Sequence, residues 1–441
     1  MDHLIQSYFE GSLPSNGNCE RINVNYLEIY KTLKQKFDLN LDKIEIPSLH
    51  TLISNLHFES FNAHLLPGRA SHYCKEHNKE FPAASGFISN LNAPHLNQIA
   101  NVPDSEIEEN INFKYSILSP LPADKNGKVR KKTPKGIIFL LHGLNEKDWN
   151  KYLPWAYKLM ELTGKMIVLF PIAFHMNRAP KLWSDAKFMT KVNEERKSFF
   201  PKIGNSSFAN SALSSRLQFY PQRFLWSGLQ TYFDIIQLIR EIREGVHSII
   251  PKQVSIDFFS YSIGSFLATI LLMTNSYNYL QDSRLFHFCG GPTLNRMSAA
   301  SKYILDSEAN IAVYSYFIEH LEQELRKDER LSHYFSQLHP EGSYFRSMLD
   351  FHKMQSFREH RFKELSKQIA ALALKHDVVV PPPEVQNTLQ GSERKIHIKV
   401  KVLDFDYLYD HVTPFPLQEK IAEEVDKQFN RVFKIAAHDL K

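Results

Sequence analysis

Cysteine is scarce: three residues, Cys19, Cys74 and Cys289, occur in 441. An odd number so widely spaced excludes a disulfide framework and points to a reducing compartment. The stretch "HYCKEH" sets His72, Cys74 and His77 close together, which is half of a metal site. No matching ligand cluster follows, so surface residues are expected there, with no metal and no cofactor. Charge of one sign is missing as well. Lys and Arg number 53 against 48 Asp and Glu, a net charge of +5. The densest basic block, "KVRKK" at 128–132, precedes a strand and reads as a solvated loop, which argues against a nucleic-acid partner. No apolar run approaches the ~20 residues of a membrane span. The N-terminal "MDHLIQSYFEGSLPSNG" lacks the basic and apolar regions of a secretory leader. A cytoplasmic protein acting on a small molecule is the expectation, and no internal repeat or low-complexity tract complicates it.

Aromatic residues are plentiful, with 32 Phe and 19 Tyr, and hydrophobic residues reach 43%, so a packed globular protein is expected. Residues 1–114 read as an N-terminal extension of unknown role, with a helical pattern at 25–37. "NINFKYSILSPL" (110–121) alternates like a strand. From residue 137 short apolar runs alternate with helical patterns. "IIFLLH" (137–142), "MIVLF" (166–170), "VSIDFF" (254–259), "LFHF" (285–288), "IAALAL" (369–374) and "IHIKVKVL" (396–403) read as strands. Most lack alternation, as strands do when helices cover both faces of a parallel sheet. Helices are expected at 148–164, 227–245, 265–273 and 417–437. This is the pattern of an α/β protein with a mostly parallel sheet. Two insertions interrupt it: 173–226, aromatic and without clear periodicity, and 292–365, with amphipathic helices at 310–325 and 344–362. The expected division is 1–114, a core in two parts at 115–291 and 366–441, and a helical lid at 292–365.

The sharpest motif is "IDFFSYSIGSFLATILL" (256–272). An apolar strand runs into Ser260-Tyr261-Ser262-Ile263-Gly264 and directly into an apolar helix. A turn this tight strains its central residue and lifts the Ser262 hydroxyl above the sheet edge, with small residues two before and two after. Serine stands at 260 where glycine is usual. The bland alternative is that Ser262 only caps the helix. "IIFLLHGLNEKDW" (137–149) ends an earlier strand in His142-Gly143. A backbone N–H just after that pair, at Leu144, would join that of Ile263 as an oxyanion hole. Otherwise Gly143 makes a turn, Asn145 caps a helix with Asp148 completing a capping box, and His142 is a packing residue.

A strand ending in "HGL", the elbow "SYSIGS" and a helical insertion between later strands resemble the α/β-hydrolase superfamily over 115–290 and 366–441. The block "HGLNEKDWNKYLPWA" with "LFPIAFHMNRAP" (169–180) resembles an uncharacterised bacterial branch of it. The resemblance implies a triad in the order Ser, acid, His. Two pairings fit. Asp377, in the "DVVVP" loop after 369–374, would serve His411 at the end of "IHIKVKVLDFDYLYDH". Asp410 would instead serve His438, but that needs a strand at 431–437, where Ile421, Val425, Val432 and Ala436 keep helical spacing. The first pairing leaves less of the chain unexplained.

The implied activity is a serine hydrolase cleaving an ester or thioester of a small or apolar acyl substrate through Ser262, Asp377 and His411. An acyltransferase would use the same groups, and a non-catalytic binding protein on this scaffold is the rival class. Trp183, Phe188, Phe199, Phe200, Phe208, Tyr314, Tyr316 and Phe317 are expected to cover the site. His175, Asn177 and Arg178 are candidate substrate contacts, although an ordinary surface ion pair accounts for Arg178 more simply.

Overall fold

Each run read as a strand forms one, and together they make a nine-stranded sheet among the described residues. The computed structural model describes residues 24–83, 92–121 and 134–441; Cys19, the N-terminal stretch and "KVRKK" lie outside them. The strands are β1 (Lys43–Ile46), β2 (Thr51–Glu59), β5 (Asn112–Pro120), β6 (Gly136–Leu141), β7 (Met166–Leu169), β8 (Ser255–Tyr261), β9 (Leu285–Phe288), β10 (Ile369–Leu374) and β11 (Lys399–Leu403). A separate hairpin pairs β3 (His72–Cys74) with β4 (Lys79–Phe81). Spatial order is β1-β2-β5-β7-β6-β8-β9-β10-β11. The six strands from β7 to β11 run parallel, and β5, β2 and β1 continue the sheet antiparallel.

Because β7 lies outside β6, β6 is hydrogen-bonded directly to β8, with Leu141 opposite Ser260. The chain leaving β6 therefore passes beside the chain leaving β8. β6, β7, β9 and β10 are buried along their whole length, which explains their unbroken apolar character. On one face pack the helices Leu153–Thr163 and Ala422–Asp439, with Tyr26–Lys36 against both. The other face carries Arg223–Glu244, Ile263–Thr274 and the insertions.

Sequence reading passed over β1 and β2, and the reason is chemical. β2 hides its periodicity behind buried polar residues, Thr51, Ser54 and Asn55. Their hydrogen bonds are met locally: the Thr51 hydroxyl donates to Leu49 O, and Asn55 Nδ2 donates to the carbonyls of Asp38 and Leu41. The segment read as an N-terminal extension thus supplies strands to the same sheet. Residues 173–226 also hold more order than their pattern implied, with helices Ala186–Phe199 and Ser211–Phe219.

The later insertion breaks where continuous helices were expected. Over 310–325 a π-helical turn, Ser315–Glu319, separates two helices. Over 344–362 the chain leaves Pro340–Ser347 and re-enters a helix at Gln355–Glu364. The fully buried Arg358 donates to the carbonyls of Ser347, Asp350, Phe351 and Lys353, satisfying backbone that a helix would have paired. The two insertions are joined by a fully buried ion pair, Arg196 to Asp306 at 2.6 Å. Leu331, Phe345, Met348 and Phe362 belong to the same apolar cluster as the sheet.

Candidate active site

The apolar strand β8 and the apolar helix Ile263–Thr274 are joined by one residue, Ser262, with φ 55° and ψ −124°. Those dihedrals are strained for a non-glycine residue and turn its side chain off the sheet edge. Ser262 makes no side-chain capping bond to the helix it precedes. Gly264 is required by space: a Cβ there would lie 2.6 Å from Leu141 O and 2.7 Å from His142 O. Ser260 fits in place of glycine because its fully buried hydroxyl is absorbed by partners, Ser265 Oγ at 3.1 Å and His287 Nδ1 at 3.0 Å.

Two later loops reach the same point. His411 Nε2 lies 2.8 Å from Ser262 Oγ, and His411 Nδ1 lies 2.7 Å from Asp377 Oδ2. Asp377 follows β10, and its other oxygen accepts the N–H groups of Val379 and Val380 at 2.9 and 2.8 Å. With that carboxylate accepting the Nδ1 proton, the imidazole presents an Nε2 lone pair to the serine O–H. All three side chains are buried, Ser262 at 7% exposure. Beneath His411 the Tyr261 ring stacks at 5.2 Å, and its hydroxyl donates to His411 O. Asp410 stands outside the group: it is exposed and its carboxylate accepts Thr413 N–H, shaping the turn that carries His411. His438 is exposed in the last turn of the C-terminal helix.

The amides of Leu144 and Ile263 donate to no described residue; Leu144 lines the same cleft as Ser262, and the Ile263 amide is the first of its helix, where intrahelical partners are absent. Gly143 N–H instead donates to Tyr152 Oη at 2.9 Å, and Tyr152 donates to Glu146, which Lys151 also pairs. Asn145 does not cap a helix. It takes φ 63°, and its Nδ2 donates to Ala209 O and Tyr303 O, tying both insertions over the site. His142 is a packing residue with a defined tautomer. Nε2 accepts Ile172 N–H at 3.0 Å and Nδ1 donates to Gly143 O, while burial pulls its pKa down to about 3.

Above Ser262 lies a cleft of about 540 Å³. Trp183, Met189 and Phe208 from the first insertion and Tyr303 and Ile304 from the second line it, together with Leu144, Lys147 and Val412. Of the aromatic residues expected to cover the site, Trp183 and Phe208 line the cleft. Phe317 packs instead on Phe224 and Phe345, and Phe199 and Tyr314 are exposed. His175, Asn177 and Arg178 do not line it. Arg178 is fully buried against Asp234 at 2.8 Å, Asn177 donates to Lys114 O, and His175 borders a small adjoining cavity. The residue that sequence reading missed is Lys147. It lines the cleft, pairs with no described carboxylate, and burial pulls its pKa down to about 8. Its signal was present in "HGLNEKDW", where, of "NEKD", only Asn145 and Asp148 were read, as helix-cap residues.

The strand order and the strained serine elbow between strand and helix define an α/β-hydrolase fold. The chain belongs to the family of unknown function DUF6051, whose profile matches residues 24–440. Carboxyl esterase 2 of the mycorrhizal fungus Tuber melanosporum is similar in structure at 9% identity, over 75% of this chain and 82% of that one, with a TM-score of 0.42. The Pyrococcus horikoshii acylaminoacyl peptidase is similar at 11% identity, over 75% of this chain and 40% of its own length, with a TM-score of 0.38. A cold-adapted esterase from an Arctic intertidal metagenomic library is similar at 9% identity, over 92% of this chain and all of that one (100%), with a TM-score of 0.37. Among curated proteins none matches.

Proposed function

We propose that the protein is a serine hydrolase of carboxylic esters or thioesters, working through an acyl-enzyme. The observation that carries the reading is the unbroken relay Ser262 Oγ–His411 Nε2 and His411 Nδ1–Asp377 Oδ2 at 2.8 and 2.7 Å, standing under an open cleft. His411 takes the Ser262 proton as the oxygen attacks the acyl carbon, and the Leu144 and Ile263 amides receive the oxyanion. The alcohol or thiol leaves with the proton from His411. Water, activated by the same imidazole, then releases the acid. Asp377 keeps the proton on Nδ1 and favours the imidazolium that forms.

The lining of the cleft supports a substrate class. The insertion 292–365, which we propose as the lid, contributes Tyr303 and Ile304, from the turn before the helix Ser307–Tyr314, to a wall that also holds Trp183 and Phe208. These favour an apolar acyl or alkyl group. An ammonium at Lys147, with no carboxylate in ion-pair contact although Glu146 lies near, favours a substrate that also carries an anionic group. Labelling by a fluorophosphonate, abolished in Ser262→Ala, tests the nucleophile directly; an unlabelled wild-type protein would favour a non-catalytic binding role. Hydrolysis of p-nitrophenyl esters graded by chain length, with and without an acidic terminus, then tests the specificity.

A further inference from the structure

Far from the elbow in sequence, the β3–β4 hairpin meets the helical insertion through an unusual set of side chains. Cys74 ends β3 and His77 lies in the hairpin turn. His333 lies in the helix Glu329–Tyr334, and His339 precedes the helix Pro340–Ser347. Their four ligand-type atoms all lie within 4.8 Å of one another. Cys74 Sγ is 3.5 Å from His77 Nδ1 and 3.6 Å from His339 Nε2, and the Nε2 atoms of His339 and His333 are 3.1 Å apart. Cys74, His333 and His339 are buried. This corrects the reading of "HYCKEH" as surface residues: the missing half of the ligand set comes from some 260 residues downstream.

We propose that Cys74, His77, His333 and His339 bind a structural zinc ion. Four zinc bonds of ~2.0–2.3 Å in a tetrahedron place neighbouring donors roughly 3.3–3.7 Å apart; three of the separations here, 3.5, 3.6 and 3.1 Å, lie close to that spacing, and the whole set falls within 4.8 Å. One thiolate with three imidazoles is a borderline-soft donor set that suits zinc over magnesium or calcium. The outer contacts agree. The buried Glu341 accepts the Nδ1 proton of His339 at 2.8 Å, which leaves a lone pair on Nε2 facing the other donors. The Glu341 carboxylate also offsets the charge left on a zinc bound by a single thiolate.

The backbone is built to hold this arrangement. The turn from His333 to His339 is closed by Ser336 N–H to His333 O and His339 N–H to Ser336 O. Gly342 lets the next helix approach so closely that a Cβ there would lie 1.6 Å from Tyr334 O. With four protein donors no position is left for a substrate, so the ion would staple the hairpin to the insertion. None of the four residues lines the cleft at Ser262, so the proposal stands apart from the hydrolase reading.

Elemental analysis of protein expressed with zinc supplied and then dialysed should find about one zinc per chain. Chelation should lower the melting temperature and zinc should restore it. Apo-protein given Co2+ should show intense tetrahedral visible absorption with a thiolate charge-transfer band, which Cys74→Ser removes. His77→Ala changes only a half-buried residue, and Glu341→Gln keeps its shape. Each should fold, and Glu341→Gln should weaken zinc affinity by roughly 10–100-fold. The proposal is overturned if folded wild-type protein retains no zinc and gives no tetrahedral Co2+ spectrum. Zinc content and affinity unchanged in both His77→Ala and Glu341→Gln would also overturn it.

Discussion

The chain assembles two clusters of reactive side chains from distant segments, and it does so by different means. Ser262, Asp377 and His411 sit on the exits of parallel strands, and hydrogen-bonded neighbours in the sheet fix their separation. Cys74, His77, His333 and His339 sit on a two-stranded hairpin and on short helices, brought together only when the insertion docks. The first cluster opens on a cleft, with its hydroxyl free to meet a substrate. In the second the donor atoms face one another. An open cluster on a rigid frame suits chemistry, and a closed cluster between two docked pieces suits cohesion. Substitutions should therefore separate: in the first they remove activity and spare stability, in the second the reverse.

The largest expected effect is at Ser262. Ser262→Ala should lower ester hydrolysis by about 10⁶, and His411→Ala by nearly as much, because residues acting as a unit do not contribute additively. Melting temperatures of both should stay near wild type. Cys74→Ser, measured beside them, should hydrolyse esters within a few-fold of wild type at low temperature yet melt earlier. A Cys74→Ser variant inactive at wild-type stability would dissolve the contrast. Next comes Asp377→Asn, expected to cost about 10⁴ because the imidazole then adopts the wrong tautomer. Asp410→Asn and His438→Ala should each remain within about tenfold, since neither carboxylate nor imidazole touches the relay.

The same contrast explains what the sequence disclosed. The elbow and the strands of the parallel sheet were legible because apolar runs of strand length and a five-residue turn carry them locally. The choice of Asp377 and His411 over Asp410 and His438 followed from helical spacing after residue 416, and the geometry joins the first pair. The second cluster was invisible because its halves lie about 260 residues apart, and no local pattern announces that a hairpin will meet a helical insertion. Lys147 was passed over because its neighbours Asn145 and Asp148 read as a helix cap, but the following helix begins only at Leu153. β2 escaped because the buried polar residues Thr51, Ser54 and Asn55 hide its periodicity.

A smaller and more distributed effect comes from histidines in the sheet region. Burial holds His142, His175 and His287 near pKa 3, well below the 6.5 of an unfolded chain. Below pH 6.5 the unfolded state takes up protons that the native state refuses, so their stabilising contribution is present above that pH and is lost as pH falls towards 3. Each contributes a slope of about 1.4 kcal/mol per pH unit over that window, so urea midpoints should drop steeply between pH 6.5 and 5. His287→Gln should flatten the slope; an unchanged slope would show that its imidazole is protonated in the native protein.

The smallest effect sharpens the comparison within the cleft itself. Lys147 lines the cleft with Trp183, Phe208 and Ile304, and also with Glu146, Asp148 and Lys151; under the proposed function it is the group that would distinguish an anionic substrate from a neutral one. A charge-assisted hydrogen bond in such a site contributes about 1.5 kcal/mol or more, roughly tenfold in rate or affinity. Lys147→Met should therefore lower kcat/KM about tenfold for an ester with an acidic terminus and leave its neutral counterpart within a few-fold. Because burial brings the lysine down to about 8, the wild-type preference for the acidic ester should hold below that pH and fade above it, as the ammonium loses its proton. Equal losses on both esters would mean that the side chain shapes the cleft wall rather than recognising charge. A preference that persists at pH 10 would place the recognition on another group.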